Sequence, residues 1–331
     1  MKFGIAIGGA PPQEFVKLAK NAEKHGFNSL WVADMSARDV YVTLTTLALN
    51  TQKVFLGTSV TNPYSRHPFH IAQAMASINE LSNDRAIIGI GCGSKKNLLA
   101  PLSINRSLPV ETVKESVIII KQLLKGEKVN YIGKTISINN LKLDISPIQD
   151  IPIFIGARGS RMLKVAGEVA DGVIISSLTT PSALKYSLDS VKLGAKEVNR
   201  KYSDIPIYIF VRICVSEDSY KAKQSIRKFV PYRIWDDAWS TLKKIGYNYH
   251  TVSEIKKEYE AGNFEVASSL VTDQMIEDFG IYGTVDECIE KIKKMEKVGV
   301  QGLIIVPVPS DTNQREDVIK IIAKEIIPKF S

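Results

Sequence analysis

The chain has 331 residues, 44% apolar and 24% charged, with 43 Lys and Arg against 35 Asp and Glu for a net charge of +8. That apolar fraction excludes a disordered chain, and no apolar run reaches the roughly 18 residues that a membrane span needs. The basic residues are spread along the sequence rather than massed in one arm, which implies a bias toward small anionic ligands and no nucleic-acid partner.

The chain alternates strand and amphipathic helix from its start. A first strand is predicted over residues 2–8, with no secretory signal before it. A helix follows from Pro12, carrying Phe15, Leu18, Ala19, Ala22 and His25 at helical spacing and stopped by Gly26. Strand two is expected at 30–33, a helix at 40–50 and a β-rich third strand at 54–60. Pro68 suits the first position of helix three, which runs to Leu81, and the wholly apolar stretch at 86–90 reads as a buried parallel strand. Helix four is predicted over 110–124. After it, alternation across 129–145, with Gly133 and Asn139-Asn140 at turn positions, predicts a β-hairpin insertion near 127–146. Strand five (153–155), helix five (160–168), strand six (172–175), helix six (181–201) and strand seven (207–215) restore the rhythm. Between 228 and 278 the period blurs around Trp235, Trp239, Tyr247, Tyr249 and Tyr259, so a helical insertion over the barrel mouth is expected there. A helix at 284–298, strand eight at 302–306 and a helix at 315–329 complete the count. Eight such units predict one domain over 1–331, an α/β fold of the TIM (β/α)8 barrel kind, with its site at the C-terminal ends of the strands.

Several segments at those ends carry chemistry. Gly156-Ala157-Arg158-Gly159-Ser160 lies where strand five turns into helix five. Free backbone N–H groups and the positive helix end there suit a phosphate, and equally suit an ordinary N-cap. Arg158 would add a mobile charge, and Ser176 and Ser177 beyond strand six are weaker candidates for the same anion. Asp34 ends strand two, where its carboxylate can hydrogen-bond a ligand, relay a proton or cap the next segment. Cys92 reads as a small apolar filler, because no histidine base lies near it in sequence. Cys92, Cys214 and Cys288 are too few and too scattered for a disulfide framework or a zinc site. The four histidines have no metal spacing, so no metal is expected, and the thiols suit a reducing cytoplasm.

Strand three and its sequel, Gly57-Thr58-Ser59-Val60-Thr61-Asn62-Pro63-Tyr64-Ser65-Arg66-His67-Pro68, followed by Leu81, Arg85 and Gly89-Ile90-Gly91-Cys92-Gly93, resemble the luciferase-like monooxygenase superfamily. Within it they are similar to the branch of methylenetetrahydromethanopterin reductases that use coenzyme F420, an 8-hydroxy-5-deazaflavin. Asp34 with 40–44, the segment 155–160, the run 166–172 and Gly283-Thr284-Val285 match in the same order, weakening over 228–278. The resemblance implies hydride transfer between F420 and a small organic substrate. The alternatives are an FMN-dependent monooxygenase of the same superfamily, or a flavin-type binding protein with little turnover. It implies cofactor contacts from Ser59, Val60, Thr61, Asn62, Gly91 and Cys92. Gly156, Ala157, Arg158, Gly159, Ser160 and Ser176 would face the phosphate, and Asp34 would be the catalytic group. It implies a non-prolyl cis peptide at Ser59-Val60 beneath the ring, and a homodimer formed through helices near strands two to four. Two departures bear on the reaction. Met35 stands where related deazaflavin enzymes often have histidine, and Ala6 stands where the reductase branch usually has a glutamate, so this position cannot exchange protons.

Overall fold

The computed structural model describes residues 1–8, 11–146, 151–310 and 314–330. In chain order its elements begin with β1 (Lys2–Ile7), α1 (Pro12–Lys24), β2 (Ser29–Val32), α2 (Val40–Asn50), β3 (Phe55–Thr58), α3 (Pro68–Ser82), β4 (Ala86–Ile90) and α4 (Pro109–Leu124). The hairpin strands β5 (Val129–Ile132) and β6 (Ser137–Leu141) precede β7 (Ile153–Ala157), α5 (Ser160–Val169), β8 (Gly172–Ser176), α6 (Pro181–Glu197) and β9 (Ile207–Val215). Six helices follow: α7 (Ser219–Arg227), α8 (Val230–Asp236), α9 (Trp239–Lys244), α10 (Tyr249–Glu260), α11 (Phe264–Ser269) and α12 (Asp273–Phe279). The chain ends through β10 (Gly280–Gly283), α13 (Val285–Lys297), β11 (Gly302–Pro307) and α14 (Arg315–Ile321).

Eight strands close a parallel ring in the order β1, β2, β3, β4, β7, β8, β9, β11, with β11 pairing back onto β1. This is the TIM barrel expected from the alternating pattern. β10 is a ninth parallel strand that the periodicity did not suggest. It pairs with the last residues of β9, from Arg212 to Val215, beyond the point where β8 stops. The Asn139-Asn140 expectation is corrected, because both residues lie inside β6 and the turn falls between the strands at Gly133 to Ile136. Asn140 adopts φ 56° where the hairpin register slips, so the same left-handed tolerance that suits asparagine to a turn serves a bulge here.

Aromatic rings fill the barrel interior because glycines on neighbouring strands leave room for them. Trp31 lies between Gly4 and Gly57, where an added Cβ would come within 2.6 and 2.4 Å of its indole. Phe154 occupies the space beside Gly172, and Tyr208 that beside Gly302. The three rings meet at centroid separations of 6.0, 6.3 and 5.2 Å in tilted and edge contacts. Outside the ring, the helices bury their apolar stripes against the strands, as α1 does with Phe15, Ala19 and Ala22. The barrel is therefore solid below, and any ligand space lies at the C-terminal mouth.

This packing makes Gly172 a test position, since a Cβ there would stand 1.4 Å from the Phe154 ring. We expect Gly172→Ala to destabilise the fold by about 2–3 kcal/mol, as overpacked cores do. The urea midpoint should fall with unchanged slope, and adding Phe154→Leu should restore part of it. A wild-type midpoint for Gly172→Ala would refute the packing account.

Candidate functional site

Strand alternation decides which side chains reach the mouth. On β3, Thr58 is tied to β4 through its hydroxyl, which donates to the Gly89 carbonyl at 2.6 Å and accepts the Gly89 N–H at 2.9 Å. The Ser59-Val60 peptide that follows is cis, as the resemblance implied. Pairing with β4 then resumes at Thr61, whose N–H donates to Gly89 and whose carbonyl accepts from Gly91. The chain between Thr58 and Thr61 thus bulges into the mouth. Val60 leans over β4 and β7, where Gly91 and Gly156 have no side chains. A Cβ at either glycine would come within 2.7 Å of a Val60 methyl. Ser59 Oγ and Asn62 Nδ2 are buried without a hydrogen-bond partner among the described residues. Asn62 itself is fully buried and spends its Oδ1 on the N–H groups of Tyr64 and Ser65. The bulge, Gly91 and Gly156 therefore come together as a low apolar floor edged by unsatisfied polar atoms, which fits a flat heteroaromatic ring.

The turn after β7 supplies a helix end. Gly159 is the N-cap of α5 and offers no side-chain cap, and a Cβ there would meet open space. The first N–H groups of α5 are consequently left to main-chain solvation or an anion. Ser160 Oγ accepts from Lys244 Nζ at 2.5 Å, so a lysine also reaches this helix end. Ala157 is buried in the strand and presents only backbone. Ser176 ends β8 at the mouth, its carbonyl within 3.5 Å of the Arg233 guanidinium.

Arg158 is a fixed charge rather than the mobile one the sequence suggested. It binds Asp237 at 2.8 Å and Asp236 at 2.6 Å at the end of α8, and its carbonyl accepts from the Tyr186 hydroxyl. Burial opposes its charge, but Asp237 and Asp236 hold the guanidinium pKa above its ordinary value. Arg233 joins the same group through Asp237 at 2.8 Å, and burial together with Arg158 pushes it down to about 10. Two arginines and two aspartates thus pin α8 to the turn after β7.

Asp34 is held on the other flank. Its Oδ2 accepts from Thr61 Oγ1 at 2.9 Å and lies 3.4 Å from Arg66 Nε. Thr61 also meets the Tyr41 hydroxyl at 3.0 Å, and Arg66 stacks over the Tyr41 ring while pairing with Asp39, the N-cap of α2. Burial raises the Tyr41 pKa, so its hydroxyl stays protonated at neutral pH. Cys92 is half-buried, with its Sγ 3.5 Å from Arg106 Nη1.

Two mouth residues escaped the sequence reading. Arg212 follows Tyr208 and Phe210 on the inward face of β9, a signal present in the alternation of that strand. Arg315, at the start of α14, donates to the Ala6 carbonyl at 3.0 Å, so a guanidinium covers the end of β1. Nothing local in the sequence points to that contact across the closing seam.

A closed eight-stranded barrel with a bulged third strand and a helix N-terminus at its mouth has the architecture of the luciferase-like TIM barrels. Residues 2–302 match the luciferase-like monooxygenases, and the chain belongs to that family. Over 330 residues it is 35% identical to the 5,10-methylenetetrahydromethanopterin reductase of Methanolobus tindarius, covering 99% of this chain and 100% of that one. The enzyme of the same name from Archaeoglobus fulgidus is 33% identical over 339 residues, with full coverage of both. The solved coenzyme F420-dependent tetrahydromethanopterin reductase of Methanopyrus kandleri superposes with a TM-score of 0.87 at 29% identity, covering 100% of this chain and 99% of that one. The family resemblance read from the blocks around strands three, four and five is borne out.

Proposed function

We propose that this chain is an oxidoreductase that transfers hydride between coenzyme F420 and a small organic substrate, in the manner of the methylenetetrahydromethanopterin reductases it resembles. The observation that carries this reading is the floor made by Val60 over Gly91 and Gly156, with the uncapped start of α5 just beyond β7, the strand that carries Gly156. A bound deazaflavin supplies the hydride chemistry itself. The chain's part is positioning, electrostatics and the exclusion of water.

In this reading Val60, Gly91 and Gly156 support the ring, and Ser59 Oγ and Asn62 Nδ2 hydrogen-bond its edge. Thr61 fixes the bulge against β4, and Cys92 fills space beside it. The N–H groups around Gly159 and Ser160 hold the phosphate with help from Ser176, while Ala157 and the paired Arg158 keep that turn in place. Asp34 is the proton-handling group, its carboxylate oriented by Thr61 and Arg66. Ala6 contributes only a methyl group and a carbonyl already engaged by Arg315, so β1 brings no acid to the reaction.

The three cysteines are free thiols, which supports a cytoplasmic setting. On α2, Val42 and Leu49 are 68% and 63% exposed and seven residues apart on one helical face, and Leu81 on α3 is 48% exposed. That apolar surface supports a homodimer through the helices of strands two and three. Light scattering at micromolar concentration should give twice the chain mass, and Val42→Glu with Leu49→Glu should give one chain mass. A monomeric wild type would overturn the assignment.

The cofactor reading is tested by titrating the purified chain with F420 and with FMN, followed by absorbance and fluorescence. We expect F420 to bind at least tenfold more tightly than FMN. Gly159→Asp should fold normally, because φ −80° and open space suit aspartate at an N-cap, yet lose at least tenfold in F420 affinity as its carboxylate takes the phosphate's place. Tighter binding of FMN would make the chain an FMN enzyme, and unchanged affinity in Gly159→Asp would move the phosphate elsewhere.

A further inference from the structure

β9 carries Tyr208, Phe210 and Arg212 on one face. The first two pack into the barrel interior, so Arg212 points the same way one layer nearer the mouth, level with Val306 on β11. In the closed ring β9 is four strands from β3, which sets Arg212 across the mouth from the Ser59-Val60 bulge. Its guanidinium lies 4.8 Å from the centre of the Phe229 ring, just ahead of α8.

Among the described residues Arg212 has neither a hydrogen bond nor an ion pair. Its neighbours differ in this respect. Arg158 and Arg233 are matched by Asp236 and Asp237, charge for charge, and Arg66 holds Asp39 and Asp34. Arg315, Arg106 and Lys244 lack ion pairs too, but each donates to a neutral oxygen, so among the described residues of the mouth Arg212 is the guanidinium with neither a hydrogen bond nor a counterion. Burial disfavours that charge and lowers the Arg212 pKa. Arg212 is half-buried, and a charge partly withdrawn from water without a counterion is unfavourable, which suits the position to a ligand that supplies the missing partner. With one face of the guanidinium against Phe229, the planar N–H edge remains to grip two oxygens of one anion.

We propose that Arg212 binds a carboxylate or phosphate of the organic substrate, so that the substrate is an acid or a phosphate ester rather than a neutral molecule. The placement of that anion on the substrate rests on the cofactor reading above, in which the ring lies on the opposite floor and its phosphate at α5. The anion site itself does not.

The test is calorimetric titration of the cofactor-free full chain with benzoate and with its neutral counterpart benzamide. Benzoate should bind the wild type at least tenfold more tightly, and Arg212→Gln should bind the two alike. Arg212→Lys, which keeps the charge but not the fork, should retain part of the preference and serves as the second variant if Arg212→Gln does not fold by circular dichroism. Equal binding of the two probes to the wild type, or an undiminished preference in Arg212→Gln, overturns the proposal. A parallel titration with F420 separates the sources of the anion. Arg212→Gln should bind F420 within twofold of the wild type, whereas a tenfold loss would assign the guanidinium to the cofactor and overturn the substrate claim. Failure of the wild type to bind F420 would refute the cofactor reading alone, leaving the benzoate preference to decide the anion site.

Discussion

The site depends on the absence of two Cβ atoms. Val60 can lean across β4 and β7 only because Gly91 and Gly156 leave space beneath its methyls, and a side chain at either would push the bulge back out of the mouth. The barrel uses the same exclusion below, where Trp31, Phe154 and Tyr208 each occupy room left by glycines on adjacent strands. Interiors are close-packed, so the glycines and the large groups form one steric pattern in two layers. The lower layer is full. The upper layer is shallow on the side of β3, β4 and β7, and that is where a flat ring fits.

The β7 edge of the mouth is organised by charge. Arg158 reaches from the turn after β7 to Asp236 and Asp237 at the end of α8, and Arg233 returns from α8 to Asp237. These contacts tie α8 to the end of β7, beside the start of α5. Lys256 on α10 donates to the Asp237 carbonyl and extends the tie to a second helix. The Arg233–Asp237 pair is buried and the Arg158 pairs half-buried, so desolvation offsets much of their attraction, but breaking one leaves an unpaired charge. Their effect here is to fix where the helices stand over the barrel, and so where Arg212 and its aromatic neighbours face the floor.

Much of the ring was legible because each barrel strand is a short apolar run bounded by turn residues and followed by a helical period, as at 86–90 and 172–175. The blocks at 57–68, 89–93 and 155–160 were legible as family features, and the structure brings Ser59, Val60, Gly91 and Gly156 to one side of the mouth. What local pattern could not supply was pairing over distance. The partners of Arg158 lie 78 and 79 residues later, in a segment without clear periodicity, so its charge read as free. β10 is four residues long with a glycine at each end, too short to register as a strand. Asn139-Asn140 misled for a physical reason, since a left-handed asparagine serves a bulge as well as it serves a turn. Arg212 was readable from the alternation of β9, but its lack of a counterion becomes visible only when the mouth is assembled.

The most direct test of the account is a crystal structure of the chain with F420 bound. The deazaflavin ring should rest on Val60 between the Ser59-Val60 bulge and the Gly91 and Gly156 backbones, with its phosphate at the N–H groups of Gly159 and Ser160 and its open face toward Arg212. A ring bound elsewhere in the barrel, or a phosphate away from the start of α5, would contradict it.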